Sequence, residues 1–563
     1  MKRISTALAA TALSVGLGIG PQTVAAGVTA AVLDAGAADN WVHTNGNYAG
    51  QRYSTLTQIN TGNAKNLKVA WIYALGGRTD AMATPSYFDG VVYMPQDNKV
   101  FAIDAQTGKG LWKYEHKLPD DWGGQFADFM AGKHRGLALH GDYVYLLSND
   151  AKLHAIDMKT GKAKWVKGFE GFHAPRDYAK AKDSTGYLCT VGPMAIPGTI
   201  IVPMNGTDFG GRPGYVLGVD AESGDLKWKA NMIPGPGEVG YDTWPEGSQE
   251  YGGAGPWIIG SYDPDLKLYF TGTANAYEWN PKNRGGGKMD NLGAASIVAV
   301  NTETGKVAWR FGAVPGDYLD FDVPQTPILI KLNGKTVIGQ PNKTGFIHYL
   351  DAKTGKFLKA DKFADKVNWT SGIDSNGRPT NVINVPEEGG AKVEVWPGLL
   401  GTVNMYPNAY NPKTGLFYLS ASDYGMMYGI EPVKVISNVR QLGASWDNIN
   451  GPEIDQAWNP VAGKEAWRIK RDKPGYAGGM LTTAGNLTVF TTQGGLFQVV
   501  DATTGKVLYG MELGTAAKSG PSTFMVNGKQ MIVQAVGGLP GFGRDDQYPG
   551  LNFGSMLVAF ELP

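Results

Sequence analysis

Cysteine is almost missing from this 563-residue chain, which contains only Cys189. An internal disulfide is thereby excluded, and without a CxxC or CxxCH anywhere, thiolate zinc sites and covalently attached haem are excluded too. Net charge is missing as well, since 51 Lys and Arg offset 51 Asp and Glu. No overall field draws in nucleic acid or an anionic membrane, so any partner must be recognised locally. After the N-terminal region no apolar run is long enough to span a bilayer. The Gly-rich run at Arg284 to Gly287 does not sit between a strand and a helix of a βαβ unit, which argues against a nicotinamide fingerprint.

What the chain has in quantity is glycine (79), tyrosine (26) and tryptophan (15). Aromatics suit a pleated, half-buried surface and glycine supplies φ > 0, so the composition predicts many short strands joined by tight turns. The N-terminus reads differently. Lys2 and Arg3 precede an apolar run from Ala7 to Ile19, with small-residue sites near Val24-Ala25-Ala26 and Gly36-Ala37-Ala38. This layout predicts a signal peptide within residues 1–38, cleaved near 26 or 38, and an exported, periplasmic, soluble protein of one domain over 39–563.

One pattern recurs: AIDAQTGKGLW at Ala102 to Trp112, AIDMKTGKAKW at Ala155 to Trp165, GVDAESGDLKW at Gly218 to Trp228, and AVNTETGKVAW at Ala299 to Trp309. Each is an alternating strand ending in Asp or Asn, a Thr/Ser-Gly turn, and a second strand carrying Trp. Weaker copies follow at Tyr349 to Lys359, Ala457 to Trp467 and Val499 to Tyr509, and Ile59 to Trp71 ends in the same Ala-Trp, for a total of eight. Recurrence of this kind predicts an all-β fold, an eight-bladed β-propeller in which the repeated Trp and Asp serve blade packing and turns. The longest intervals lie before Trp309 and Trp467, where insertions are expected to form loops on one face. The strand Met556 to Leu562 alternates well enough to close the ring with an N-terminal strand.

The eightfold AxDxxTGxxxW unit resembles the tryptophan-docking motif of the pyrroloquinoline quinone (PQQ)-dependent quinoprotein dehydrogenases, of the haem-free alcohol dehydrogenase type. The resemblance covers nearly the whole mature chain and extends to unrepeated segments. In WIIGSYDPDLKLYFTGTANAYEWN it implies that Trp257 is the floor under the quinone and Asn275 a metal ligand. In GDYLDFDVPQTPIL it implies that Asp320 is the catalytic base and a metal ligand. Asp322 lies two residues on, where lanthanide-using relatives carry an added ligand and calcium-using relatives also have Asp-x-Asp. Lys343 and Arg135 match cations that contact the quinone, which carries three carboxylates. Thr190, Asn205 and Asn404 match further cofactor contacts, and Asp208 matches a metal ligand that is usually Glu.

The chain also departs from the family. Phe129 and Met130 stand where many relatives have a vicinal disulfide over the quinone, Met82 falls near a polar cofactor contact, Met405 stands where Trp is common, and Tyr476 falls near another Trp. An apolar lid is still able to cover a ring through aromatic or thioether contact. The resemblance implies oxidation of a primary or secondary alcohol, or of a sugar or polyol hydroxyl, by PQQ beside Ca2+ or a lanthanide ion. It further implies that electrons leave to a separate acceptor such as a soluble cytochrome c. Two competing readings are a non-catalytic exported propeller serving as an assembly scaffold and a hydrolase using the Asp320/Asp322 pair.

Overall fold

The computed structural model describes residues 27–563 other than 77–79, 121, 123–129, 170–186, 208–211, 251, 437–438, 539–547, 549–550 and 552–553. The first 26 residues, which hold most of the expected signal segment, lie outside the described residues. Among those described, strands form eight antiparallel sheets of four strands, each consecutive in sequence except where the ring closes or an insertion intervenes. The blades begin at strands Ser86–Phe88, Ala138–His140, Met194–Ile196, Ser261–Asp263, Ile328–Leu332, Ala409–Asn411, Leu481–Thr483 and Ser522–Val526. The last blade takes its outer strand from the other end of the chain: Met556–Glu561 pairs with Lys68–Ala74. A short strand, Tyr53–Ser54, adds in parallel to Leu481–Thr483.

The repeat explains why the sheets form and how they dock. Asp104 Oδ1 accepts the backbone N–H and the hydroxyl of Thr107, which fixes the turn between the two strands of its blade. Asp157 with Thr160, Asp351 with Thr354 and Asp501 with Thr504 do the same. Each turn then needs a residue with φ > 0 against the neighbouring blade. At Gly108 (φ 71°) an added Cβ would lie 2.8 Å from the Trp71 ring, and at Gly161 (φ 68°) 2.7 Å from Trp112, so only glycine lets the indole lie flat on the turn.

The indole N–H completes the dock by reaching the residue after the turn Asp or Asn of the next blade, or, for Trp165, the second residue after it, Glu222. Trp71 donates to Ala105 O at 2.8 Å, Trp112 to Met158 O at 2.8 Å, Trp228 to Thr302 O at 2.7 Å and Trp467 to Ala502 O at 2.9 Å. Where the pattern has Lys359 in place of Trp, the ammonium donates to Pro460 O, the equivalent carbonyl, at 2.5 Å. The weak repeat therefore keeps the hydrogen bond although it has lost the indole.

The two long intervals build the structure above the ring. The stretch before Trp309 contributes short 3-10 turns at Tyr241–Thr243, Ser248–Glu250 and Pro281–Arg284. The stretch before Trp467 contributes a three-stranded sheet of Val393–Val395, Gly425–Ile430 and Ala444–Ile449. The two meet where Trp279 lies 5.2 Å from Trp446 and the N–H groups of Trp279 and Asn280 donate to Leu442 O. At the N-terminus, helix Ala30–Ala35 is capped by Thr29 and buries Leu33, while Val28 exchanges backbone hydrogen bonds with Gly141. Among the described residues no helix is long and apolar enough to cross a membrane.

Candidate active site

Four of the residues singled out in the sequence meet in one buried cluster. Asp320 and Asp322 lie between strands Val307–Gly312 and Ile328–Leu332. Lys343 turns the chain between Lys335–Pro341 and Phe346–Asp351, and Asn275 follows Leu268–Gly272. All four are buried. The Lys343 ammonium donates to Asp322 Oδ2 at 2.7 Å, to Asp320 O at 2.9 Å and to Asp320 Oδ2 at 3.3 Å. The other Asp322 oxygen accepts the Asn275 backbone N–H at 2.6 Å. Burial acts to lower the Lys343 pKa, but the Asp320 and Asp322 carboxylates outweigh it and hold the ammonium above its ordinary value.

Asp320 has φ +59°. A residue with a Cβ adopts this left-handed conformation at a cost of about 1 kcal/mol or more, so the surroundings must impose it. Lys343 does so by gripping both the Asp320 carbonyl and its carboxylate. Lys343 is itself backed by Gly401 (φ 74°), where an added Cβ would come within 2.4 Å of the lysine side chain.

Asn275 is oriented through its amide nitrogen, which donates to Ala276 O at 2.9 Å, while its Oδ1 is buried with no hydrogen-bond partner. Leaving such an oxygen unpaired costs about 1–3 kcal/mol, so it calls for a ligand. With Asp322 bonded to the N–H of the same residue and Asp320 beside Asp322 on Lys343, the donors are all hard oxygens, which suit calcium or a lanthanide rather than a thiophilic metal. The residues present therefore fit the metal that the resemblance implies. The fourth expected ligand, Asp208, lies outside the described residues.

A second group forms the adjoining wall. The Arg135 guanidinium lies over the Trp257 ring, 4.9 Å from Cζ to the centroid. It also donates to the Thr190 hydroxyl and approaches Met405 Sδ at 3.7 Å. Asn205 serves Thr190: its Oδ1 accepts the Thr190 N–H at 3.0 Å and its Nδ2 donates to the Thr190 hydroxyl at 3.2 Å. The Trp257 indole N–H is buried without a partner. A flat aromatic face, a cation over it and a hydroxyl beside it suit a planar, carboxylate-bearing ring, so this wall fits the quinone.

Other expected contacts fall into supporting positions. Asn404 braces its own loop, accepting the Met405 N–H at 2.7 Å and donating to Leu400 O at 2.8 Å. Met130 is buried, and Phe129 lies outside the described residues. Tyr476 stacks on Tyr406 at 5.2 Å and donates from its hydroxyl to Gly401 O at 2.5 Å, so it supports the loop behind Lys343. The two groups are joined through the backbone: Ala274 donates to Gly255 O at 3.1 Å and Thr402 to Lys343 O at 3.0 Å. Sequence reasoning missed a cleft beside Arg135 that is lined by Met82, Thr84, Met405 and the buried Lys518. A single Lys among small residues in an unrepeated segment carries almost no signal.

The family model described as "PQQ: Glucose/ethanol/alcohol dehydrogenase, beta-propeller domain" matches residues 41–360 and 435–532. The quinoprotein alcohol dehydrogenase PedH of Pseudomonas putida is 35% identical, with 91% of this chain and 89% of that protein covered. A quinohemoprotein alcohol dehydrogenase of Comamonas testosteroni is 34% identical over 91% of this chain and 75% of its own length. The crystal structure of the quinohemoprotein alcohol dehydrogenase from Comamonas testosteroni superposes with a TM-score of 0.83 at 32% identity, covering 93% of this chain and 80% of the other. A europium-containing methanol dehydrogenase does so with a TM-score of 0.81 at 27% identity, covering 93% and 98%.

Proposed function

The chain belongs to the PQQ-dependent alcohol dehydrogenase family and is an oxidoreductase acting on alcohols, and from that premise we propose how its own residues divide the work. PQQ, when bound, supplies the two-electron acceptor for the hydride that leaves the carbinol carbon. Asp320 takes the hydroxyl proton as that hydride leaves, and Lys343 holds the carboxylate in place for the transfer. Asn275 Oδ1, Asp320, Asp322 and Asp208 would hold the metal, which would supply Lewis-acid chemistry at this site. Arg135, Thr190 and Trp257 orient the cofactor, Asn205 holds Thr190 in place, and Asn404 braces the loop from Leu400 to Met405. By the resemblance, Met130 and Phe129 would lie over the cofactor's other face.

The observation that carries this reading is the buried, unpartnered Asn275 Oδ1 beside the Asp320–Lys343–Asp322 bridge. The substrate class is a primary or secondary alcohol, sugars and polyols included, and electrons leave to a separate soluble cytochrome c. Export to the periplasm with cleavage near residue 26, not near 38, fits the burial of Val28 and Leu33 in the hydrophobic core. The test is to reconstitute the purified apo-protein with PQQ plus calcium, and separately with PQQ plus a light lanthanide. Reduction of an artificial acceptor is then followed over a panel of alcohols and sugars. Turnover with at least one metal is expected. No turnover with either, together with no quinone absorbance retained after gel filtration, would overturn the reading.

A further inference from the structure

Three carboxylates on the cofactor call for cations, and in this fold Lys343 is committed elsewhere. Its ammonium already bonds Asp320 O, Asp320 Oδ2 and Asp322 Oδ2. Of the two cations that the sequence assigns to the quinone, Arg135 is therefore the one facing the cofactor wall, where it lies over Trp257. The cleft that Arg135 lines contains a second cation, the buried Lys518, together with Met82, Thr84, Ile258, Ile259 and Met405. Lys518 comes from the turn between strands Val507–Glu512 and Ser522–Val526, and its ammonium lies 2.8 Å from Asp80 Oδ2.

Its burial is decisive. The Lys518 side chain is 5% exposed and that of Asp80 13%. A lysine seldom gives up its hydration this far for one partly exposed carboxylate unless it has further work. A third cation adds to the same field. Burial holds Lys133 down to about 8, with Lys518 and Arg135 acting in the same direction and Asp80 opposing them. Lys133 and Arg135 thus add positive charge near Lys518, beside a cleft whose lining combines Met82, Ile258, Ile259 and Met405 with the polar Thr44, Asn45 and Thr84. That arrangement fits an anion carried on a flat, apolar body. Met82 stands in the same cleft, near the place where relatives have a polar cofactor contact.

We propose that Lys518, held at Asp80, is a further cofactor-binding cation of this chain, receiving with Arg135 a carboxylate of PQQ at the end of the cleft marked by Met82. The inference rests on the placement of the quinone against Trp257 and Arg135 given above. Lys518 takes no part in the proton transfer. It fixes how strongly, and in which orientation, the quinone is held.

The experiment is an equilibrium titration of the apo-protein with PQQ in the presence of calcium. Binding is read by quenching of tryptophan fluorescence and repeated across a range of salt concentrations. Lys518→Met is expected to weaken PQQ binding about 10- to 100-fold, the loss of one charge-assisted hydrogen bond, and to flatten the salt dependence of Kd. Lys518→Arg should restore most of both. The trimethyl ester of PQQ, which lacks the anionic groups, should bind the wild type and Lys518→Met equally. Because Lys518→Met leaves Asp80 without its partner and invites misfolding, Asp80→Asn/Lys518→Met, which removes both charges, carries the same comparison. If that double variant holds PQQ with wild-type affinity and wild-type salt dependence, Lys518 is only a structural partner of Asp80 and the proposal fails. If the wild type itself does not bind PQQ, it is the cofactor assignment that falls.

Discussion

Two buried clusters in this molecule have the same formal composition, one cation between two carboxylates, yet they are built to opposite ends. In the first, Lys343 joins Asp320 and Asp322, and a partnerless amide oxygen stands beside them on Asn275. In the second, Arg471 joins Glu453 at 3.0 Å and Asp455 at 2.6 Å. Gln498 Oε1 takes another guanidinium N–H at 2.5 Å and the Gln493 N–H donates to Glu453 at 3.0 Å. Burial, reinforced for Glu453 by Asp455, raises both carboxyls of the second cluster above the usual carboxylate range. Burial in that cluster favours the protonated form of its carboxyls. The first has two carboxylates and an orphaned oxygen disposed for a cation from outside. Identical charge counts thus give a brace in one place and a ligand site in the other, and the difference lies in who supplies the missing positive charge.

Substitutions break this comparison in a graded way. The largest effect is expected at Asp320: Asp320→Asn should lower kcat by roughly 10^2- to 10^4-fold while PQQ remains bound, measured by steady-state dye reduction alongside quinone absorbance. Next comes Arg471→Met, which strands two buried carboxylates and should cost about 3–5 kcal/mol in urea unfolding, with turnover per folded molecule unchanged. Loss of kcat in the folded fraction would show that the brace also belongs to the active site.

Asp322 requires a gentler change than removal, because its oxygens also position Asn275 and Lys343. Asp322→Asn keeps an acceptor and removes the charge. It should lower lanthanide-supported turnover by about tenfold or more and calcium-supported turnover much less, a trivalent ion needing the extra anion. Equal losses with both metals would assign Asp322 to positioning alone.

The smallest effect concerns pH. A carboxyl whose pKa is raised by folding contributes stability that is fully present below its unfolded value, here 4.5 for Glu453, and is lost as pH rises through its folded value. Wild-type stability should therefore fall between pH 5 and 8 by an amount on the order of 1–2 kcal/mol traceable to this cluster. Glu453→Gln should flatten that slope in thermal melts across the range. An unchanged slope would place the retained proton elsewhere.

The repeats made the propeller legible because blade docking imposes the same local demands each time: an Asp to fix the turn, a Gly to admit the indole, and a Trp to reach the next carbonyl. Even Lys359 is understandable afterwards, since an ammonium meets the same carbonyl. Asp320, Asp322, Lys343 and Asn275 were legible as site residues through resemblance, and they do meet, although 47 residues separate Asn275 from Asp322. What could not be read was how each side chain is spent. Lys343 is occupied by carboxylates, Asn205 by Thr190, Asn404 by its own loop, and Lys518 enters the cleft from a distant blade. Such partnerships are made by tertiary packing and leave no periodic trace. The longest insertion was expected as loops, yet it forms a three-stranded sheet, because its alternating segments are long enough to pair with each other.

The pairing of Met556–Glu561 with Lys68–Ala74 also has a biosynthetic consequence. The strand that joins the two ends of the ring is synthesised after all the other described strands, so every nascent or truncated chain is an open arc with two bare edges. Such edges recruit other strands, and contacts spanning nearly the whole chain are slow to form. A stop codon before Met556 should therefore yield an aggregating product even though every site residue named here has already been translated, and a chaperone that shields strand edges would have to act until the final segment arrives.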